Sequence, residues 1–288
     1  MTEPKSPSKA GRNTTVVKPG NRLLKWVSPL LAMAVLGFLV GCGSSGPEES
    51  EAQGPDAQVV EALQSGTLDV QVLYDGSASR DSKTLVEQSM NTVSNSFELT
   101  VAGSGDFSAK LIRGDLATAN LVSPVSIPPA GGASDEIERS EKAGETRSEL
   151  TNATNALLEE EDVPGLHGGS AIAYNLRQAI DAAATRSDPD AQTVIVAVTD
   201  GVDDSVKDHL GEEPQVLAKR LSASLGSGGG NGDVILLAGI GTAKGGTPSA
   251  AANRLSSAWK TACEKTGARC AVSVEVESPV LLEAFEDA

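Results

Sequence analysis

Apolar residues along the chain alternate between two spacings. Leu68–Tyr74 (LDVQVLY) is rich in Val and Leu and predicts a first strand. Asp81–Phe97, with Leu85, Met90 and Val93 apolar, predicts a helix. Glu98–Ala102 (ELTVA) has the composition of a second strand. A third is expected within Ala117–Ile127, beginning near Ala119 and stopped around Pro124. The short link between them contains Gly114, which predicts a hairpin. Ser134–Leu158 is a charged helical stretch, with Ser134 as its cap, Asp135 and Glu136 in its first turn, and Gly144 as a potential break. Ser170–Ala184 places Ile172, Leu176, Ile180 and Ala183 at helical spacing. Thr193–Thr199 (TVIVAVT) and Val234–Ile240 (VILLAGI) are near-continuous apolar runs, the signature of strands buried on both faces. Helices over Pro214–Leu225, Ala250–Thr266 and Pro279–Phe285, with a strand at Ala271–Val276, complete the pattern. Strands separated by helices of this length imply βαβ units and a mostly parallel sheet.

The first 66 residues behave differently. Residues 1–25 carry six basic groups, and Trp26–Gly41 (WVSPLLAMAVLGFLVG) carries no charge. Sixteen residues fall short of a membrane span but suit the apolar region of a signal. The run ends in Leu39-Val40-Gly41-Cys42, which resembles a bacterial lipoprotein signal. That resemblance implies cleavage after residue 41, lipidation of Cys42, and display on the extracytoplasmic face of a bacterial membrane. Residues 42–66, small, acidic and punctuated by Gly, Pro and Ser, then read as a flexible tether. Val59, Val60 and Leu63 can start a short helix within it. The folded domain is expected over 67–288, with the charged helical segment inserted at about 131–163.

Charge narrows the partners. The 288 residues hold 23 Lys+Arg against 39 Asp+Glu, a formal net charge of −16. Six basic residues and one acid in 1–41 give that head +5 and leave −21 for the rest. An acidic body with eight aromatic residues argues against nucleic acid, whose binders present basic faces and stacking platforms.

Two strand ends carry similar chemistry. The first runs into Asp75-Gly76-Ser77-Ala78-Ser79, a D-x-S-x-S motif. The fourth runs into Thr199-Asp200-Gly201-Val202-Asp203-Asp204. A turn, Gly168-Gly169-Ser170-Ala171, lies between them in sequence and opens a helix. Carboxylates and hydroxyls are hard oxygen ligands suited to Mg²⁺. In open α/β sheets, ligands bind beyond the strand C-termini.

From about Leu68 to the C-terminus, this order of motifs and elements resembles the von Willebrand factor A family. The run Gly239-Ile240-Gly241-Thr242 is similar to that family too. The resemblance implies a three-layer, doubly wound, mostly parallel six-stranded sheet with one antiparallel edge strand, its first and fourth strands side by side. It also implies a metal-ion-dependent adhesion site for Mg²⁺ or Mn²⁺ built from Asp75, Ser77, Ser79, Ser170 and Asp200. Asp203 and Asp204 would hold outer waters. Ser170 stands where the family usually has Thr; it keeps the hydroxyl and loses the methyl that restricts its rotamer. The implied activity is binding rather than catalysis, with an Asp or Glu carboxylate of a protein partner completing the metal's coordination.

Other motifs are plainer. Cys263 and Cys270 flank the last long helix and last strand, and in an exported chain they predict a disulfide. Arg113-Gly114-Asp115 reads as a hairpin turn, and His167 as a solvated loop residue; His209 is the other histidine. A haloacid-dehalogenase-type phosphatase needs a second Asp where Ser77 stands, and a hydroxyl cannot serve as general acid at neutral pH. A solute-binding lipoprotein would need two lobes from 247 mature residues.

Overall fold

Every residue of β1 (Leu68–Asp75) is buried, because helices cover both faces of the strand. The computed structural model describes residues 55–64, 66–76, 82–112, 118–159, 170–185, 191–242 and 249–286. The signal segment, Cys42, Ser77, Ser79, the Arg113-Gly114-Asp115 tripeptide and His167 lie outside them. Side chains of β1 alternate. Leu68, Val70, Val72 and Tyr74 join one core, and Leu73 joins the other.

Six strands form one sheet in the order β3-β2-β1-β4-β5-β6. They are β1, β2 (Gly105–Ile112), β3 (Thr118–Ile127), β4 (Gln192–Val198), β5 (Val234–Ala238) and β6 (Arg269–Val272). All neighbours pair parallel except β3, which runs antiparallel to β2 at one edge. Helices α1 (Pro55–Leu63), α2 (Lys83–Gly103), α3 (Ala133–Glu159) and α7 (Pro279–Glu286) pack on one face. Helices α4 (Ile172–Ala183), α5 (Pro214–Leu225) and α6 (Ser249–Glu264) pack on the other. This is the doubly wound, three-layer architecture that the sequence predicts. No helix among the described residues is long and apolar enough to cross a membrane.

Five boundaries differ from expectation, one of them the last strand, which spans Arg269–Val272 rather than Ala271–Val276. Residues 98–102 are not a strand but the last turns of α2. Met90, Val93 and Phe97 keep helical spacing into them, and the hydroxyls of Ser89, Ser96 and Thr100 bond back to carbonyls four residues earlier. The second strand is Gly105–Ile112, with Phe107, Ala109 and Leu111 facing the core. Gly105 opens it at φ +124°, where a Cβ would meet the Leu68 carbonyl oxygen at 2.2 Å. Strand β3 does not stop at Pro124 but continues to Ile127, because proline is tolerated at a sheet edge. The register is irregular here, and the Ser123 amide donates to Glu149 on α3 rather than to a strand. Gly144 does not break α3, which runs 27 residues.

The fifth difference concerns the tether. Residues 55–63 form α1, whose Val59, Val60, Ala62 and Leu63 are buried against β6 and α7. The folded part therefore begins before residue 67. At the other end, Cys263 and Cys270 are joined in a disulfide that links α6 to β6.

Candidate metal centre

Strands β1 and β4 lie side by side with Tyr74 opposite Val198, so Asp75 and Thr199 emerge at the same level. Parallel pairing thus brings the two acidic strand ends together. Asp75 is fully buried. Its Oδ1 accepts a hydrogen bond from the Ser170 hydroxyl (2.9 Å), and its Oδ2 accepts one from the Thr199 hydroxyl (2.7 Å). The structure therefore unites Asp75, Ser170 and the Thr199-Asp200-Gly201 loop.

Thr199 has a role that sequence reasoning did not assign. It donates to Asp75 and accepts from the Gly201 amide at 3.0 Å, tying the carboxylate of one strand to the loop after another. Its place in the T-D-G motif was the available signal.

Asp200 follows, 1% exposed. Its Oδ1 accepts from the Val202 amide at 2.8 Å. Its Oδ2 is buried and has no hydrogen-bond partner among the described residues. A buried, unpartnered carboxylate oxygen is costly, and such an atom calls for an ion or a water. The Asp200 backbone is fixed from two sides. The Gly241 amide donates to the Asp200 carbonyl at 2.7 Å, and the Trp259 indole N–H donates to the Gly201 carbonyl at 2.8 Å. The Gly239–Thr242 run therefore supports the Asp200 loop through its backbone.

Asp203 and Asp204 both make contacts within the protein. Asp203 is buried, and both its oxygens are spent on the protein. Oδ2 accepts from the Ala173 amide (2.9 Å); Oδ1 accepts from the amide (2.9 Å) and hydroxyl (2.6 Å) of Ser205. Asp204 pairs with Lys207 at 3.0 Å on the surface, and this bond raises the Lys207 pKa. His209 pairs with Glu212 at 3.0 Å and is partly covered.

Hydroxyls and carboxylates fit a hard divalent cation. The Ser170 O–H points its proton at Asp75, which leaves its oxygen lone pairs for a metal. Asp200 Oδ2 supplies a charged oxygen in want of a partner. Among the described residues no group of three or more His, Cys, Asp and Glu clusters as a metal site. The donor set is instead two carboxylates supplemented by hydroxyls, the composition expected for Mg²⁺ or Mn²⁺.

No family model matches the chain, and no curated protein matches it. Among solved structures it is similar to proximal thread matrix protein 1 of the mussel byssus (17% identity, TM-score 0.38). That alignment covers 76% of this chain and 47% of the mussel protein, so the chain spans about half its length. It is similar to the VWA domain of SpRpn10 (14% identity, TM-score 0.37, covering 78% of this chain and 96% of that one). It is similar as well to the manganese-loaded TRAP protein of Plasmodium vivax (13% identity, TM-score 0.37, covering 75% and 73%). Scores at this level add nothing to what the chain's own topology establishes. The strand order, the single antiparallel edge and the adjacent acidic ends of β1 and β4 define a von Willebrand factor A-like fold.

Proposed function

We propose that the protein binds a protein partner through a divalent cation, Mg²⁺ or Mn²⁺, at the C-terminal ends of β1 and β4. Asp75, Ser170 and Asp200 would hold the cation, together with Ser77 and Ser79, which follow β1 in sequence. The cation would supply a localised positive charge on an acidic body, and a partner's Asp or Glu carboxylate would meet it there. The observation that carries this reading is the buried Asp200 Oδ2, which has no hydrogen-bond donor among the described residues. Lipidation at Cys42 would anchor the domain to a bacterial membrane on its extracytoplasmic face, and the acidic stretch before α1 would lift it from the surface. More than one acyl chain makes such anchoring durable.

Binding fits these residues better than hydrolysis. A haloacid-dehalogenase-type phosphatase would need a second Asp as general acid where Ser77 stands, and a hydroxyl cannot take that role at neutral pH. Affinity capture from the source membrane with the full-length protein tests the choice. Retention of a partner that EDTA abolishes, Mg²⁺ restores and Asp200→Asn removes supports the proposal. Retention indifferent to EDTA contradicts it. Phosphatase turnover lost in Asp75→Asn would establish the hydrolase instead.

A further inference from the structure

Ser170 belongs to no strand or helix of the fold; α4 begins two residues later, at Ile172. Its backbone is held by a single parallel bridge to Asp203, in which the Asp204 amide donates to the Ser170 carbonyl at 3.0 Å. Helix α4 also lacks a cap of its own. Its N-cap residue is Ala171, which has no side-chain oxygen to receive the free amides of the first turn. The missing acceptor comes from another part of the chain. Asp203 Oδ2, on the loop after β4, accepts the Ala173 amide at 2.9 Å, while Oδ1 is anchored by Ser205. A carboxylate at a helix N-terminus is favoured by the helix dipole as well as by the hydrogen bond.

We infer that Asp203 is the positioning residue of the cation site: it caps α4 from the Asp200 loop and so sets where Ser170 stands relative to Asp200. The consequence follows from the chain's connectivity. Asp200 and Asp203 share one loop, and Ser170 sits at the mouth of the helix that Asp203 caps. Two ligand-bearing segments far apart in sequence are thereby joined without Asp203 touching the cation. Asn keeps the acceptor for Ala173 in its carbonyl oxygen and can donate to the Ser205 hydroxyl, but it loses the acceptor for the Ser205 amide. Ala keeps none of these contacts.

The inference rests on the cation reading proposed above, and its test separates the two. Full-length protein in detergent is compared as wild type, Asp203→Asn and Asp203→Ala. One readout is Mg²⁺ affinity by calorimetry; the other is amide hydrogen exchange over residues 170–176 in EDTA, which needs no metal. Asp203→Ala should weaken Mg²⁺ binding at least tenfold and speed exchange over that segment at least tenfold. Asp203→Asn, which keeps the Ala173 acceptor, should lose clearly less than Asp203→Ala in both. Unchanged exchange in Asp203→Ala overturns the clamp. If Asp203→Asn loses as much affinity as Asp203→Ala while its exchange stays slow, the charge itself is needed at the cation, and the positioning role is wrong. If the wild type binds no Mg²⁺, the cation reading fails, and the exchange data decide the clamp alone.

Discussion

Thr199, Asp200 and Gly201 show how much a three-residue motif carries. Thr199 ties the end of β4 to Asp75 on β1, Asp200 buries its carboxylate, and Gly201 lets the chain turn beneath them. Gly201 has φ +78°, and a Cβ there would meet Ile240 Cδ1 at 2.8 Å and the Trp259 indole nitrogen at 3.0 Å. Gly201→Ala should therefore lose at least about 1–2 kcal/mol from the left-handed backbone alone. Thermal unfolding should register this as a Tm drop of roughly 2–8 °C; an unchanged Tm would show that the loop is not held as described. At this scale the sequence was informative about residue types and silent about partners. Asp75, Ser170 and Asp200 stand out as oxygen ligands because of where they fall after strands and turns. That Asp203 accepts the Ala173 amide at the start of α4 depends on a hydrogen bond between residues 30 positions apart, which no local pattern encodes. Trp259 lies within the helix expected over 250–266, and its indole bond to the Gly201 carbonyl depends on how α6 packs on the sheet, which no local pattern encodes.

Elements were legible where one physical effect dominated. Strands β4 and β5 are continuous apolar runs buried on both sides, and α4 has an unambiguous helical stripe, so each lies close to where its pattern puts it. Errors arose where effects competed. In residues 98–102, strand-favouring composition lost to the helical spacing already established by Met90, Val93 and Phe97. In β3, edge position removed the penalty that Pro124 would carry in a central strand. Helix α3 tests the same balance directly. It buries only Ala143, Thr146 and Leu150 along 27 residues, and Arg147 reaches across to α2 to pair with Glu98 at 2.6 Å. The Glu98 hydrogen bond raises the Arg147 pKa, yet a pair this exposed contributes no more than about 1 kcal/mol. Gly144 lies on the exposed side of this helix, and a Cβ there would meet nothing within 4 Å. Gly144→Ala should stabilise the protein by about 1 kcal/mol, from helix propensity alone. Urea unfolding should show a higher midpoint at unchanged slope; a lower midpoint would mean that the helix needs its flexibility there.

Across the whole molecule, topology does what no local segment can. Placing β1 next to β4 unites Asp75 with residues 95 and 124 positions away at one end of the sheet, with helices covering both faces beneath them. The −21 body then carries a place where part of its negative charge is organised rather than dispersed. The buried Asp200 carboxylate gives the most direct test, because it predicts opposite signs with and without metal. Without metal, its unpartnered oxygen costs stability. With metal, that oxygen becomes a ligand, and a cation at a hundred times its dissociation constant adds about 2.7 kcal/mol. The decisive measurement is the Tm of wild type and Asp200→Asn, each in EDTA and in saturating Mg²⁺ or Mn²⁺. The cation should raise the wild-type Tm by several degrees and leave Asp200→Asn unmoved, while in EDTA the variant should be at least as stable as wild type. A wild-type Tm indifferent to both cations, or an equal rise in both proteins, would contradict a metal centre at Asp200.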